Sequence, residues 1–101
     1  MVKYIKSGIV LIAMKSIHLI VSGRVQGVFF RANIKRKADE LNLKGYARNL
    51  DDGNVEVVVE GSEEKINELI NYIKKGPGIS KVKDIKLKET KQKNFENFKA
   101  L

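Results

Sequence analysis

Several residue types that carry chemistry in many proteins are missing or scarce in this chain. Its 101 residues include no cysteine, no tryptophan, one proline and one histidine, His18. Without cysteine there is no disulfide framework, no thiolate nucleophile and no cysteine zinc site. A single histidine excludes any metal motif that needs two, and it leaves few routes to a serine–histidine catalytic unit.

The length and composition indicate one ordinary globular domain. Domains of about 100–150 residues are the commonest size, and 43% hydrophobic against 32% charged residues is a typical balance. The net charge of +8 at pH 7 suggests an anionic partner. That partner is nucleic acid, an anionic membrane surface or a small phosphorylated substrate.

The positive charge is concentrated towards the end of the chain. Eight lysines and two acidic residues lie between Lys74 and Lys93, so this segment carries six of the eight net charges. Two interpretations remain open at this point. The lysines belong either to a solvated edge strand, where they discourage pairing with another sheet, or to a face that binds polyanions.

Residues 1–14 form an N-terminal extension, and residues 15–101 form the folded domain. The apolar run Ile9–Ala13 is far too short to span a bilayer, and no clear cleavage site follows it. The extension is interpreted either as disordered, with a second plausible start at Met14, or as an added β-segment packed on the domain.

Hydrophobic spacing predicts an α+β fold for the domain. Period-two alternation of branched residues is typical of strands, and apolar residues three and four apart are typical of amphipathic helices. The predicted order is strand 17–22, helix 30–41, strand 45–50, strand 55–60, helix 62–75 and strand 82–87. This β-α-β-β-α-β order predicts a ferredoxin-like sandwich, a four-stranded antiparallel sheet with both helices on one face. Phe95 and Phe98 suggest a short further segment that anchors the end of the chain.

The segment Val21–Arg31 reads VSGRVQGVFFR and has the features of an anion-binding loop. Two glycines allow the backbone to curl so that successive N–H groups converge, and the loop runs into a helix N-terminus that favours a phosphate. Arg31, at the start of that helix, can bond two phosphate oxygens at once through its planar guanidinium. The loop lacks the GxxxxGK[ST] pattern of nucleotide-binding P-loops.

Asn49 ends the second predicted strand, just before the turn Asp51–Asn54. Its amide offers one acceptor and two donors but no useful basicity, so it can hold a water molecule without deprotonating it. In isolation such an asparagine would indicate turn chemistry alone.

Together these segments resemble the acylphosphatase family. The run G-x-V-Q-G-V-x-F-R lies at Gly23–Arg31, and G-[aromatic]-x-x-N-x-x-x-G-x-V lies at Gly45–Val55, closing with Gly61. The resemblance covers about residues 15–101 and implies metal-free hydrolysis of acyl phosphates to carboxylate and phosphate, without a cofactor. It implies that Arg31 binds the phosphoryl group and that Asn49 positions the attacking water. The residues it implies for substrate binding through the loop are Gly23, Arg24, Val25, Gln26, Gly27, Val28, Phe29 and Phe30.

The chemistry of these residues agrees with that reaction. An acyl phosphate loses a carboxylate, a good leaving group that needs no general acid, and in a loose transition state the water needs aiming more than deprotonating. Charge on the equatorial phosphoryl oxygens needs preorganised donors, which loop amides and Arg31 supply. We expect a cytoplasmic monomer that binds small acyl phosphates and phosphate or sulfate, with neither a membrane nor nucleic acid as partner.

Other interpretations concern single residues and the whole domain. Asp51 and Asp52 suggest a magnesium pair, although a hairpin turn explains them better. His18 is predicted on the sheet surface, and Arg24 and Arg48 either add positive field near the anion or are simply solvated. The alternative function is a non-enzymatic phosphate- or RNA-binding ferredoxin-like module. Lys44–Ala47 begins like an RNA-binding strand but lacks the aromatic continuation.

Overall fold

The computed structural model describes residues 2–4 and 10–101, with side chains from residue 13 onward. Its strands and helices, in chain order, are β1 (Val2–Tyr4), β2 (Val10–Ile12), β3 (Met14–Arg24), α1 (Phe30–Glu40), β4 (Lys44–Asn49), β5 (Val55–Ser62), α2 (Glu63–Lys74), β6 (Lys81–Glu89) and β7 (Phe98–Ala100).

The main sheet has five strands in the order β6-β3-β5-β4-β7. All neighbouring strands are antiparallel except β4 and β7, which are parallel and pair Gly45 with Phe98 and Ala47 with Ala100. The predicted α+β ferredoxin-like fold is confirmed, with one difference. The segment expected to anchor the chain end is itself a strand, β7, so the sheet has five strands and is mixed rather than purely antiparallel.

The core lies between the two helices and one face of the sheet. Alternate strand positions supply one side of it, since Leu19, Val21, Val55, Val57 and Val59 are all fully buried. The buried helix residues that pack against them are Phe30, Ile34, Ala38, Ile66, Leu69, Ile70 and Ile73. Burying one such side chain stabilises a fold by about 1.5–3 kcal/mol. The core therefore fixes the strand ends and the start of α1 relative to one another.

The segment between β6 and β7 crosses the sheet face opposite the helices. Glu60 lies buried in β5 and accepts hydrogen bonds from the backbone N–H groups of Lys93 (2.5 Å) and Phe95 (3.2 Å) and from the Ser16 hydroxyl (3.1 Å). The Phe95 ring meets the Tyr46 ring edge-on at 5.8 Å between centroids. These contacts fix the path of the segment from one edge of the sheet to the other, where β7 pairs with β4.

The turn between β4 and β5 has the predicted hairpin chemistry. The Asp52 carboxylate accepts the Asn54 backbone N–H at 3.0 Å, and the Leu50 N–H donates to the Asn54 carbonyl at 2.9 Å. Asp52 thus serves the turn, in the manner typical of aspartate two residues before an N–H. At the start of α2, the Ser62 hydroxyl accepts the Lys65 N–H, as a helix N-cap does.

Two further features lie outside the core. β1 and β2 pair antiparallel as a separate two-stranded sheet within the stretch 1–14, for which the sequence left disorder and an added β-segment open. β6 lies at the edge of the main sheet, with exposed lysines at positions 81, 83, 86 and 88.

None of the helices in the described part of the chain is both long enough and apolar enough to span a membrane.

Candidate active site

A loop of five residues, 25–29, joins β3 to α1 at the end of the sheet where β4 and β7 also finish. The register of β3 against β6 shifts between Ser22 and Gly23, which marks a β-bulge. Gly23 has φ +125°, and a Cβ placed there would lie 2.2 Å from the Lys81 carbonyl oxygen. The close approach of β6 therefore requires this glycine, and the bulge redirects the chain into the loop.

The loop exposes its backbone rather than its side chains. Val25, Val28 and Phe30 turn their side chains into the core, with 1%, 6% and 1% exposure. Gly27 (φ 71°) and Phe29 (φ 58°) both have left-handed backbone, and such residues, alternating with right-handed ones, make backbone concavities that bind anions. None of the amides of residues 25–30 donates a hydrogen bond within the described part of the chain.

Arg31 lies in the first turn of α1, directly after these amides. Its Nη1 donates a hydrogen bond to the main-chain oxygen of Leu101. The two residues line one open cleft of about 360 Å³, together with Val25, Gly27, Phe29, Phe30, Ala32 and Ala100. Since arginine has five N–H donors in a fixed plane, this contact orients the guanidinium and leaves other donors for a ligand.

The partner of Arg31 is held in place by β4. The Leu101 N–H donates to the Ala47 carbonyl at 2.8 Å, which continues the parallel pairing of β7 with β4 beyond Ala100. Two residues after Ala47, Asn49 ends β4 with an exposed side chain. Among the described residues, no partner bonds the Asn49 side-chain amide. The parallel pairing thus places Arg31, Leu101 and Asn49 at one end of the sheet.

Gln26 ties the loop to the turn that follows Asn49. Its side-chain Nε2 donates to the carbonyl oxygens of Leu50 and Asn54, both at 2.8 Å. The carbonyls belong to the two residues that flank the hairpin turn. Loop and turn are therefore bound to one another across the end of β5, with the loop amides on one side and Asn49 on the other.

The residues predicted for the site contribute different groups to this end of the sheet. Arg31, Gly27 and Phe29 line one cleft, whereas Val25, Val28 and Phe30 contribute only main-chain groups because their side chains are buried. The Gln26 side chain bonds the turn. Arg24 ends β3 opposite Lys81, away from the cleft lining.

The hydrogen-bond partners of these residues were not predicted from the sequence. The main-chain oxygen of Leu101 accepts a hydrogen bond from Arg31, and those of Leu50 and Asn54 accept hydrogen bonds from Gln26. No local pattern signals them, because a main-chain carbonyl is available in every residue type. Only the aromatic residues near the chain end pointed towards the β7 pairing that brings Leu101 to Arg31.

His18 and Arg48 belong to a polar cluster on the sheet face opposite the helices. The Glu56 carboxylate contacts His18 Nε2 at 2.8 Å, Arg48 Nε at 2.5 Å and the Tyr46 hydroxyl at 3.1 Å. Burial would raise the pKa of Glu56, but the hydrogen bonds from His18, Arg48 and Tyr46 outweigh it and lower the pKa below its ordinary value. Hydrogen bonding and the charge of Glu56 raise the pKa of Arg48. Arg48 is thus paired with Glu56.

The side chains described, from residue 13 onward, include no group of three His, Asp or Glu suited to hold a metal ion. The donors at this end of the sheet include main-chain N–H groups, the Arg31 guanidinium and the Asn49 carboxamide. Such a set binds an anion by hydrogen bonding and orients a neutral molecule beside it.

Comparison with known proteins identifies relatives of this chain. The family model described as Acylphosphatase matches residues 17–100. An acylphosphatase of Methylococcus capsulatus is 46% identical over 76 residues, 75% of this chain and 83% of the relative. One of Bacillus licheniformis is 45% identical over 86 residues, 84% of this chain and 96% of the relative. The crystal structure of acylphosphatase from Bacillus subtilis superposes with a TM-score of 0.83 and 36% identity, covering 88% of this chain and 99% of that one.

Proposed function

Because the chain belongs to the acylphosphatase family and is an enzyme that acts on acyl phosphates, we propose that Arg31, the loop amides and Asn49 carry out the reaction without a metal. The observation that carries this proposal is the cleft in which Arg31 follows directly on unpaired loop amides. The other part of the arrangement, Asn49, ends β4 at the same end of the sheet.

The phosphoryl group binds at the amides of residues 25–30 and at Arg31. Left-handed backbone at Gly27 and Phe29 favours a concave arrangement of N–H groups, and the N-terminus of α1 adds the partial positive charge of a helix dipole. Nη1 of Arg31 donates a hydrogen bond to Leu101, and this bond fixes the plane of the guanidinium. Its remaining N–H groups then bond two phosphoryl oxygens in a bidentate manner.

Asn49 positions the attacking water. A carboxamide accepts one hydrogen bond from water and donates to a phosphoryl oxygen, so it aims the water at phosphorus without removing its proton. The side chain is exposed at the end of β4, and the Gln26 bonds to Leu50 and Asn54 hold the loop against the following turn. This tie sets the distance between the water and the phosphoryl group.

The reaction itself makes few demands on the protein. The P–O bond to the acyl group breaks, the leaving carboxylate takes the electron pair, and water supplies the oxygen of the new phosphate and releases a proton to a phosphate oxygen or to solvent. Because carboxylate is a weak base, no general acid is required, and the negative charge on the equatorial oxygens is stabilised by preorganised donors. A site with neither cysteine nor histidine suits this chemistry.

The proposal is tested by hydrolysis of acetyl phosphate in the presence of EDTA. We expect the wild type to be active and Arg31→Ala to lose about 10²–10³-fold in kcat, the size found for removing a preorganised donor. Arg31→Lys keeps the charge but not the planar donors, so it recovers only part of the loss. Arg36→Ala, an exposed arginine on the same helix, is the matched control. Full activity in Arg31→Ala overturns the assignment.

Asn49→Ala separates water positioning from phosphoryl binding. We expect calorimetry to show that this variant still binds inorganic phosphate while turnover is lost. Asn67→Ala, an exposed asparagine on α2, should change neither. Loss of phosphate binding in Asn49→Ala contradicts the water-aiming role.

A further inference from the structure

Phe29 has an unusual combination of backbone and side-chain properties. It precedes α1 with a left-handed backbone, φ 58° and ψ 21°, and 82% of its surface is exposed. This backbone region is disfavoured for bulky residues and is usually occupied by glycine. The chain itself uses glycine for a left-handed backbone two residues earlier, at Gly27.

Neither property of Phe29 benefits the fold. An aromatic ring that stays exposed contributes little hydrophobic stabilisation. A phenylalanine with a left-handed backbone is strained, whereas a glycine there would not be. Its neighbours show the contrast, since Val28 and Phe30 are buried in the core with 6% and 1% exposure. A strained residue that contributes nothing to packing indicates a functional role for its side chain.

The position of Phe29 indicates what that role is. It lines the cleft that contains Arg31, and the apolar residues Ala32, Ala100 and Leu101 line it too. Leu101 is also 55% exposed, although it is a large apolar residue. The Phe29 amide belongs to the loop proposed to bind the phosphoryl group, and its ring shares the cleft with Arg31. The acyl group attached to that phosphoryl group is the nearest part of the substrate.

We propose that Phe29 binds the acyl group of the substrate and makes the enzyme selective for acyl phosphates with aromatic or other large apolar acyl groups. This inference rests on the proposed function, because it needs the phosphoryl group at the loop amides. An aromatic acyl group packs on the exposed ring through the offset or edge-on contacts that aromatic pairs prefer. A two-carbon acyl group is too small to make that contact.

The test compares benzoyl phosphate with acetyl phosphate in each variant. We expect the wild type to favour benzoyl phosphate in kcat/KM, and Phe29→Ala to lower the benzoyl-to-acetyl ratio about tenfold, mainly through a higher KM for benzoyl phosphate. Phe29→Tyr keeps the ring and should restore the ratio. The control is Ile79→Ala, at an apolar residue that is 67% exposed and outside the cleft lining. It should leave kcat/KM unchanged for both substrates.

Binding of non-hydrolysable probes gives a second measurement. We expect calorimetry to show that benzoylphosphonate binds the wild type more tightly than acetylphosphonate, and that Phe29→Gly removes the difference while unfolding at an equal or higher temperature. An unchanged ratio in Phe29→Ala, or an equal fall for both substrates, overturns the role of the ring. Failure of the proposed function is recognised separately, since Arg31→Ala then retains full activity on acetyl phosphate.

Discussion

The side-chain amide of Gln26 donates a 2.8 Å hydrogen bond to the carbonyl oxygen of Leu50, the residue directly after Asn49. Its second bond, to Asn54, completes a bridge between loop 25–29 and the turn. The Gln26 side chain thus links the two halves of the candidate site.

Replacing Gln26 should weaken catalysis more than phosphate binding. Gln26→Ala removes the donor to two half-buried carbonyl groups, which costs about 1–3 kcal/mol of unfolding free energy, and it frees the loop from the turn beside Asn49. We expect a lower kcat for acetyl phosphate with phosphate binding largely kept. Urea unfolding and steady-state kinetics measure the two effects, with exposed Gln92→Ala as control. A kcat equal to that of the wild type would show that the bridge is purely structural.

Gly23→Ala should destabilise the protein strongly. Its Cβ would lie 2.2 Å from the Lys81 carbonyl oxygen and 2.7 Å from the Lys83 nitrogen, both in the backbone of β6. Gly53 is the matched control, because its φ of +92° is also positive but nothing lies within 4 Å of its Cβ position. We expect Gly53→Ala to lose about 1 kcal/mol for the backbone conformation alone and Gly23→Ala to lose clearly more. Equal losses in urea unfolding would mean that the contact with β6 is unimportant.

Glu56 should make stability depend on pH in the acid range. Its pKa in the folded protein lies below the ordinary value of 4.5, so the unfolded state binds more protons as the pH falls. The stabilisation by Glu56 is therefore fully present above pH 4.5 and is lost as the pH falls through the lowered pKa. Glu56→Gln should cost about 1–3 kcal/mol at pH 7 and should lose less stability than the wild type between pH 6 and pH 3.

The control for Glu56 is Glu89→Gln. Glu89 pairs with Lys15 at 2.7 Å, but 65% of its side chain is exposed, and an exposed pair contributes little. Thermal unfolding across the same pH range should therefore give nearly the wild-type curve. Parallel curves for wild type and Glu56→Gln would contradict the assignment of the acid dependence to Glu56.

The lysines of β6 should protect the sheet edge rather than bind substrate. Lys86 and Lys88 are exposed on the edge strand, outside the lining of the Arg31 cleft, and charged side chains at an edge oppose pairing with another sheet. We expect the double variant Lys86→Thr, Lys88→Thr to keep kcat within about twofold and to aggregate faster in light scattering. Salt-dependent binding of single-stranded RNA by the wild type, lost in this variant, would favour the polyanion interpretation instead.

Local patterns in the sequence predict most of the fold. The alternation of Ile17, Leu19 and Val21 sets the first domain strand, and the Asp-Asp-Gly turn sets the hairpin, because period and turn chemistry are properties of neighbouring residues. The helix predicted over 62–75 from its apolar spacing is confirmed as α2, with Ser62 as its N-cap.

Relationships between distant segments were not predictable in this way. The parallel pairing of β7 with β4 depends on the crossing of the sheet by residues 90–97, and the bulge at Gly23 depends on β6. Likewise, Arg31 and Leu101 are 70 positions apart. The motifs point to the residues of the site, whereas long-range packing determines which carbonyl groups hold them.

The short length of β7 has a consequence for the working stability of the enzyme. Three residues at a sheet edge, two of them exposed, open by subglobal fluctuation at a lower free energy than the core strands. When β7 opens, Arg31 loses its Leu101 partner and the core loses Phe98, while the other buried residues stay packed between the helices and the four remaining strands. Activity should therefore disappear at a lower urea concentration than the circular dichroism signal. Opening of this one strand, rather than global unfolding, then limits the urea concentration at which the enzyme is active.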